Sequence, residues 1–282
     1  MRGSTTPATP RGKLEDILAR PDRQVDLAEA ALLVAAEEYS QLDVRSYLVR
    51  LDEMGYALRQ RLEEEPRPER AVMALNHYLF QEQGFRGNVE QYYDPRNSYL
   101  NEVLDRRTGI PITLSTVYME VARRAGLEVE GVGLPGHFVV RIRTPLRPLL
   151  VDPFHGGTLL TEKDCQDRLD RIFSGKVKLE AKMLEACRTK EMLERLLRNL
   201  KAIYLRDQDT DRALRVVDLI VRIQPGSAED LRDRGILYAA LDCYSLAARD
   251  LESYLSLAPR ANDAEELAAR AALLRHKAAR LN

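Results

Sequence analysis

Five pairs of residues near the end of the chain share one spacing. Leu197 and Leu231, Tyr204 and Tyr238, Ala213 and Ala247, Val217 and Leu251, and Pro225 and Pro259 are each 34 residues apart. A fixed period of that length describes stacked helix–turn–helix units, because one such unit cannot bury its apolar face without a neighbour. The last third of the chain, over residues 181–282, is therefore expected to be paired helices, with "ANDAEELAARAALLRHKAARLN" as the closing one.

The period resembles the tetratricopeptide repeat. The second unit matches that pattern at Gly235, Tyr238, Ala247 and Pro259, while the first carries Lys201 where a glycine is expected. By the resemblance, the inward positions of the first helices include Arg195, Arg198, Arg206 and Arg232. Guanidinium forks pair well with carboxylates, so the implied ligand of this face is a protein or an acidic peptide segment. The competing expectation is a tail that packs on the rest of the chain, since two units are fewer than such arrays normally need.

At 282 residues the chain has room for about two domains. The opening "MRGSTTPATPRG" lacks an apolar stretch, is not a signal peptide, and is expected to be a disordered tail over residues 1–12. Residues 13–83 read as helical. "VDLAEAALLVAAEEY" and "VRSYLVRLDEMGYALRQRLEEE" carry apolar residues at a 3.6 period, "PRPER" interrupts it, and "AVMALNHYLFQEQG" resumes it up to Gly84. His77 on that last segment has no ligand partner at i+3 or i+4, so packing or surface exposure accounts for it.

Forty-three basic residues against 44 acidic ones leave a net charge of −1, which offers no general attraction to nucleic acid or to a membrane surface. No apolar run approaches the ~20 residues that span a bilayer. Three cysteines, Cys165, Cys187 and Cys243, share no CxxC spacing, and the odd count points to a reducing cytoplasm.

The middle, over residues 84–180, changes character. "DPRNSYLNEVLDRRTG" reads as a helix ending at Gly109, and "IPITLSTVYMEVARRAG" as a helix with Pro111 in its first turn and Gly126 at its end. "LEVEGVGLPGHFVVRI" and "PLLVDPFHGG" read as strands, and "GTLLTEKDCQDRL" as strand, turn and helix. Helices followed by a run of strands imply an α+β fold with an antiparallel sheet.

Two polar residues interrupt those strands, His137 and Asp152. If they face each other in a hairpin, the midpoint falls between Thr144 and Pro145, inside the proline-rich "RTPLRP". That register sets Phe138 opposite Val151 and Val140 opposite Leu149, and it predicts a hydrogen bond between imidazole and carboxylate. His155 follows Asp152 by three residues. With His137 it completes a two-histidine, one-carboxylate set of the kind that suits a metal, but its place at a loose strand end assigns it no metal or cofactor.

The helix "GIPITLSTVYMEVARRAGL" followed by "GHFVVRI" and "LLVDPF" resembles the transglutaminase-like core, over roughly residues 70–165. With the tetratricopeptide tail, and with "NSYLNEVLDRRTGIPITLS" and "GLPGHFVVR", the chain resembles the bacterial SirB-type proteins of that group. The resemblance implies a papain-like fold in which a cysteine opens the helix, a histidine activates it and an aspartate orients the histidine. His137 and Asp152 take the last two positions, and Pro111, which has no nucleophilic atom, takes the first. The implied function is a non-catalytic protein- or peptide-binding adaptor. The alternative is a hydrolase or transamidase that uses Ser115, one helical turn beyond Pro111, with His137 and Asp152.

Overall fold

The computed structural model describes residues 9–63, 68–144 and 147–281. The chain divides into two compact units, Met1–Leu196 and Leu197–Asn282.

The first unit begins earlier than the sequence suggests. Helix α1 (Pro10–Ala19) is capped by Thr9, whose hydroxyl accepts from Gly12 N at 3.1 Å. Pro10 needs no partner for a backbone N–H in a first turn. The tail expected over residues 1–12 is corrected accordingly at residues 10–12, and residues 1–8 lie outside the described residues. Helix α2 (Leu27–Ala36) is capped by Asp26 and buried along nearly its whole length. Its alanines let α1, α3 (Val44–Glu63) and α5 (Leu100–Arg106) approach closely. Helix α4 (Pro68–Asn76) runs into one π-helical turn over His77–Glu82. His77 is exposed, and Gly84 has φ +73. Of the "PRPER" interruption, residues 66–67 lie outside the described residues, and residues 68–70 already belong to α4.

The helix expected over "DPRNSYLNEVLDRRTG" is a 3-10 turn at Pro95–Asn97 followed by the short α5. It does not end at Gly109. Arg107 takes the left-handed position, with φ 56. Its guanidinium donates to Gln83 Oε1 at 3.0 Å and lies 4.7 Å from the Phe85 ring centre, and these contacts hold a non-glycine residue there. Gly109 belongs instead to β2 (Thr108–Gly109), which runs parallel to β1 (Arg86–Gly87).

Helix α6 (Pro111–Arg124) has Pro111 as its first residue, and every residue from Pro111 to Ala122 is buried. Thr113 Oγ1 accepts from Ile110 N at 3.1 Å and donates to Asn97 O at 2.7 Å, fixing the helix start. Gly126 follows the helix with φ +92. Helix α3 packs along α6, and α6 packs against the sheet at β3 (Val129–Val132) and β4 (Val139–Ile142). The sheet continues through β5 (Leu149–Asp152) and β6 (Thr158–Leu160), all antiparallel in the order β3-β4-β5-β6. Helix α7 (Glu162–Phe173) brings Cys165 onto Val132, Leu134 and Val139.

The hairpin register differs from the expected one by two residues. Val140 pairs with Val151, not Leu149, and Ile142 pairs with Leu149. Continued by one step, this places Asp152 opposite Val139 rather than His137. A two-residue shift keeps every side chain on its face, whereas a one-residue shift would have separated the pair. The turn residues 145 and 146 lie outside the described residues.

The N-terminal helices, expected as a region apart over residues 13–83, belong to the same unit as the core. So does the first half of α8 (Thr189–Arg206). Its leading amides, Thr189 N and Lys190 N, donate to the Asp22 carboxylate at 3.0 and 2.9 Å. The first compact unit thus runs to Leu196.

The second unit holds the rest of α8, then α9 (Thr210–Ile223), α10 (Ala228–Ala240), α11 (Tyr244–Leu257) and α12 (Ala264–Leu281). The α10–α11 pair shows why the repeat needs Gly235. A Cβ there would lie 2.9 Å from Leu251 Cδ2 and 3.2 Å from Ala247 O. At the equivalent place in the first repeat, Lys201 sends its ammonium to Asp230 Oδ1 at 2.7 Å and Asp233 Oδ2 at 2.6 Å. The departure from glycine is thus filled by ion pairs to α10, the first helix of the second repeat. Among the described residues, no helix is long and apolar enough to cross a membrane.

Candidate functional site

Asp152 ends β5 and caps the short turn that follows, Pro153–His155. Its Oδ1 accepts from Phe154 N at 3.1 Å and His155 N at 3.3 Å. His137 lies two residues before β4, in a turn closed by its own N–H to Leu134 O at 3.0 Å. Its Nε2 is 2.9 Å from Asp152 Oδ2, so the expected hydrogen bond is present despite the shifted register. In the neutral tautomer with Nε2–H donating to the carboxylate, Nδ1 would carry the lone pair.

Two further groups reach the same oxygen. His155 Nδ1 lies 2.8 Å from Oδ2, and Arg168 Nη2 lies 2.6 Å from it. Counting both oxygens, four N–H groups donate to one fully buried carboxylate, which has about four lone-pair sites to offer, and the Arg168 guanidinium adds an ion pair to it. Burial would raise the Asp152 carboxyl. The hydrogen bonds from His137 and His155, with the charges of His137 and Arg168, outweigh it and hold Asp152 well below the usual carboxylate range. Arg168 Nη1 also sits 3.4 Å from His137 Nε2 and 3.2 Å from His155 Nδ1. Phe154 closes one side, its ring edge-on to His137 at 6.2 Å between centres.

Sequence reasoning missed Arg168. The signal was present on α7, where Cys165 and Leu169 are the buried positions and Arg168 shares their side of the helix, three residues from one and next to the other. It also misplaced Arg195. That guanidinium is not part of an outward basic face: it donates to Leu134 O at 2.8 Å and His137 O at 2.6 Å, tying down the turn that carries the histidine. The other three arginines of the expected face already hold carboxylates. Arg198 is paired with Asp230, Arg206 with Asp207, and Arg232 with Asp233 and Asp263. Acidic neighbours that the repeat alignment does not show offset the basic lean.

The ligand atoms of His137, Asp152 and His155 lie within 4.8 Å of one another. A cation held there would meet the Arg168 guanidinium on the shared oxygen, so the set is a poor fit for a resident metal. Pro111 opens α6 as expected. Ser115 is fully buried, and its Oγ has no hydrogen-bond partner among the described residues, His137 included. Burial pushes the thiols of Cys165 and Cys187 up, away from the thiolate that nucleophilic attack requires.

Residues 45–198 match the transglutaminase-like superfamily and residues 200–272 match the tetratricopeptide repeat. A UPF0162 protein of Xylella fastidiosa is 39% identical, over 86% of this chain and 88% of its own length. The corresponding protein of Pseudomonas aeruginosa is 34% identical, over 82% and 84%. F-box only protein 21 of Homo sapiens is 30% identical over 58% of this chain, a segment making up 27% of that protein.

Proposed function

Because the chain belongs to the transglutaminase-like superfamily and carries tetratricopeptide repeats, we propose that it is a non-catalytic binding or adaptor protein. In this reading the cleft around His137 is kept as a recognition pocket, and the repeats, which generally mediate protein–protein interactions, supply a second surface. The partners are proteins or acidic peptide segments, not nucleic acid or membrane, met in the cytoplasm.

The observation that carries this reading is the sharing of Asp152. A catalytic histidine needs its carboxylate both to orient it and to balance the charge it gains. Here a charged His137 would share with Arg168 its one direct counter-ion among the described residues. Two unit charges about 4 Å apart interact by about 4 kcal/mol at an effective dielectric of 20, so that competition is not small. Pro111, at the place the resemblance gives to the nucleophile, supports the same reading.

The test is covalent labelling with a thiol-directed electrophile, read by peptide mass spectrometry, beside assays of amide hydrolysis and amine transfer. Wild type and His137→Ala should behave alike. Labelling of one cysteine that disappears in His137→Ala would overturn the reading.

One observation favours a second reading, in which the protein is a hydrolase or transamidase. A buried hydroxyl with no partner is costly, and Ser115 Oγ is one. If an opening of α6 brings Ser115 to His137 and Asp152, a fluorophosphonate should label Ser115, and Ser115→Ala should abolish the labelling.

A further inference from the structure

On the first unit, a groove of about 650 Å³ is lined by β1, which packs on the Pro153–His155 turn, by the turn after β1 and by the end of α5. Its polar side chains are Arg86, Asn88, Glu90, Gln91, Arg106 and Thr108. We propose that this groove is a binding site for an oxyanion group, a carboxylate or a phosphate.

The walls are set before any ligand arrives. Arg86 N donates to Arg107 O and Asn88 N to Gly109 O, both at 2.9 Å, which fixes β1 against β2. Asn88 Oδ1 accepts from Gln91 N at 3.0 Å, and Asn88 Nδ2 donates to Asn97 Oδ1 at 3.1 Å. Asn97, fully buried, donates to Gln91 O at 2.7 Å. A loop of 88–91 held from below in this way is preorganised, so little ordering is left for the ligand to bring about.

The charges are left over. Arg96 takes Asp94, with Nη2 at 2.8 Å and Nε at 3.0 Å from Oδ2. Arg106 reaches that carboxylate only at 3.5 Å, and its Nη1 is buried with no hydrogen-bond partner among the described residues. Arg86 makes no ion pair among the described residues, and neither does Glu90 on the same rim. Two guanidinium groups against one carboxylate leave the groove positive, with a buried donor that lacks an acceptor. Arginine forks match the oxygens of carboxylates and phosphates, and Asn88, Gln91 and Thr108 add neutral polar groups beside them. The site does not depend on whether His137 is catalytic.

The full chain should be titrated with inorganic phosphate and, separately, with N-acetyl-Glu-Glu-amide, by calorimetry and by amide NMR. Saturable binding of at least one probe is expected, with shifts at Asn88, Gln91 and Thr108. Arg86→Gln should weaken it roughly tenfold or more, as the loss of a charge-assisted hydrogen bond. Arg86 is exposed, so this variant should fold, and an unchanged melting temperature would establish that it does. The tighter probe identifies the source of the anion, a phosphate or an acidic side chain. No saturation by either probe up to about 10 mM, well beyond millimolar affinity, overturns the proposal. So does binding that survives Arg86→Gln unchanged.

Discussion

Arg168 Nη2 and His137 Nε2 meet on one oxygen of Asp152, at 2.6 and 2.9 Å. The carboxylate is fully buried and the Arg168 side chain keeps only 15% of its exposure. Removing Arg168 leaves the buried charge of Asp152 with its hydrogen bonds but without its guanidinium counter-ion. Arg168→Met is therefore expected to lower stability by about 3 kcal/mol. Urea unfolding of wild type, Arg168→Met, Asp152→Asn and the double variant measures the coupling. A coupling under about 0.5 kcal/mol, typical of an exposed pair, would show that the guanidinium is incidental.

Asp152 also sets an acid limit. Its folded pKa is depressed, because the partners that hold the charged form outweigh burial. The unfolded chain then binds its proton first as pH falls. The stabilisation is complete above the unfolded value of about 3.9 and is lost as pH drops below it toward the folded value. Unfolding free energies between about pH 6 and pH 2.5 should fall more steeply for wild type than for Asp152→Asn. Parallel profiles would mean that other carboxylates carry the acid dependence.

In the repeats, Gly235→Ala should cost about 1–3 kcal/mol, the usual effect of forcing extra volume into a packed contact. The new Cβ would meet Leu251 at 2.9 Å. Thermal melting is the measurement, and a neutral result would mean that α10 and α11 can part without penalty.

Lys201 gives a contrasting case within the same unit. Its ammonium is the direct partner of the fully buried Asp230, which Arg198 and Ser227 also hold. Lys201→Met should destabilise by about 3 kcal/mol, and Lys201→Met combined with Asp230→Leu should recover part of that loss. A double variant no more stable than the single one would contradict the ion-pair account.

Periodicity made most of the helices, the repeat and the pairing of β4 with β5 readable from the sequence. The His137–Asp152 contact was readable as well, for a limited reason: parity along a strand survives a two-residue shift, so the face was right although the register was not. What stayed hidden depends on contacts distant in sequence. Arg168 reaches Asp152 from another element, and Arg195 turns toward the His137 loop because two carbonyls wait there. The end of α5 at Arg107 was hidden because a side chain bonded to Gln83, not a glycine, stabilises the left-handed residue. The acidic partners of the tail arginines, Asp230 and Asp263, lie about one repeat away in the chain and meet them only once the helices stack.

The crowding around Asp152 also bears on what a single substitution elsewhere can reach. A Pro111→Cys change would set a thiol at the start of α6 but leave Asp152 shared among His137, His155, two backbone amides and Arg168. Asp152 works as a junction at which β5, the turn before β4 and α7 are tied, and a change at the start of α6 removes none of those ties.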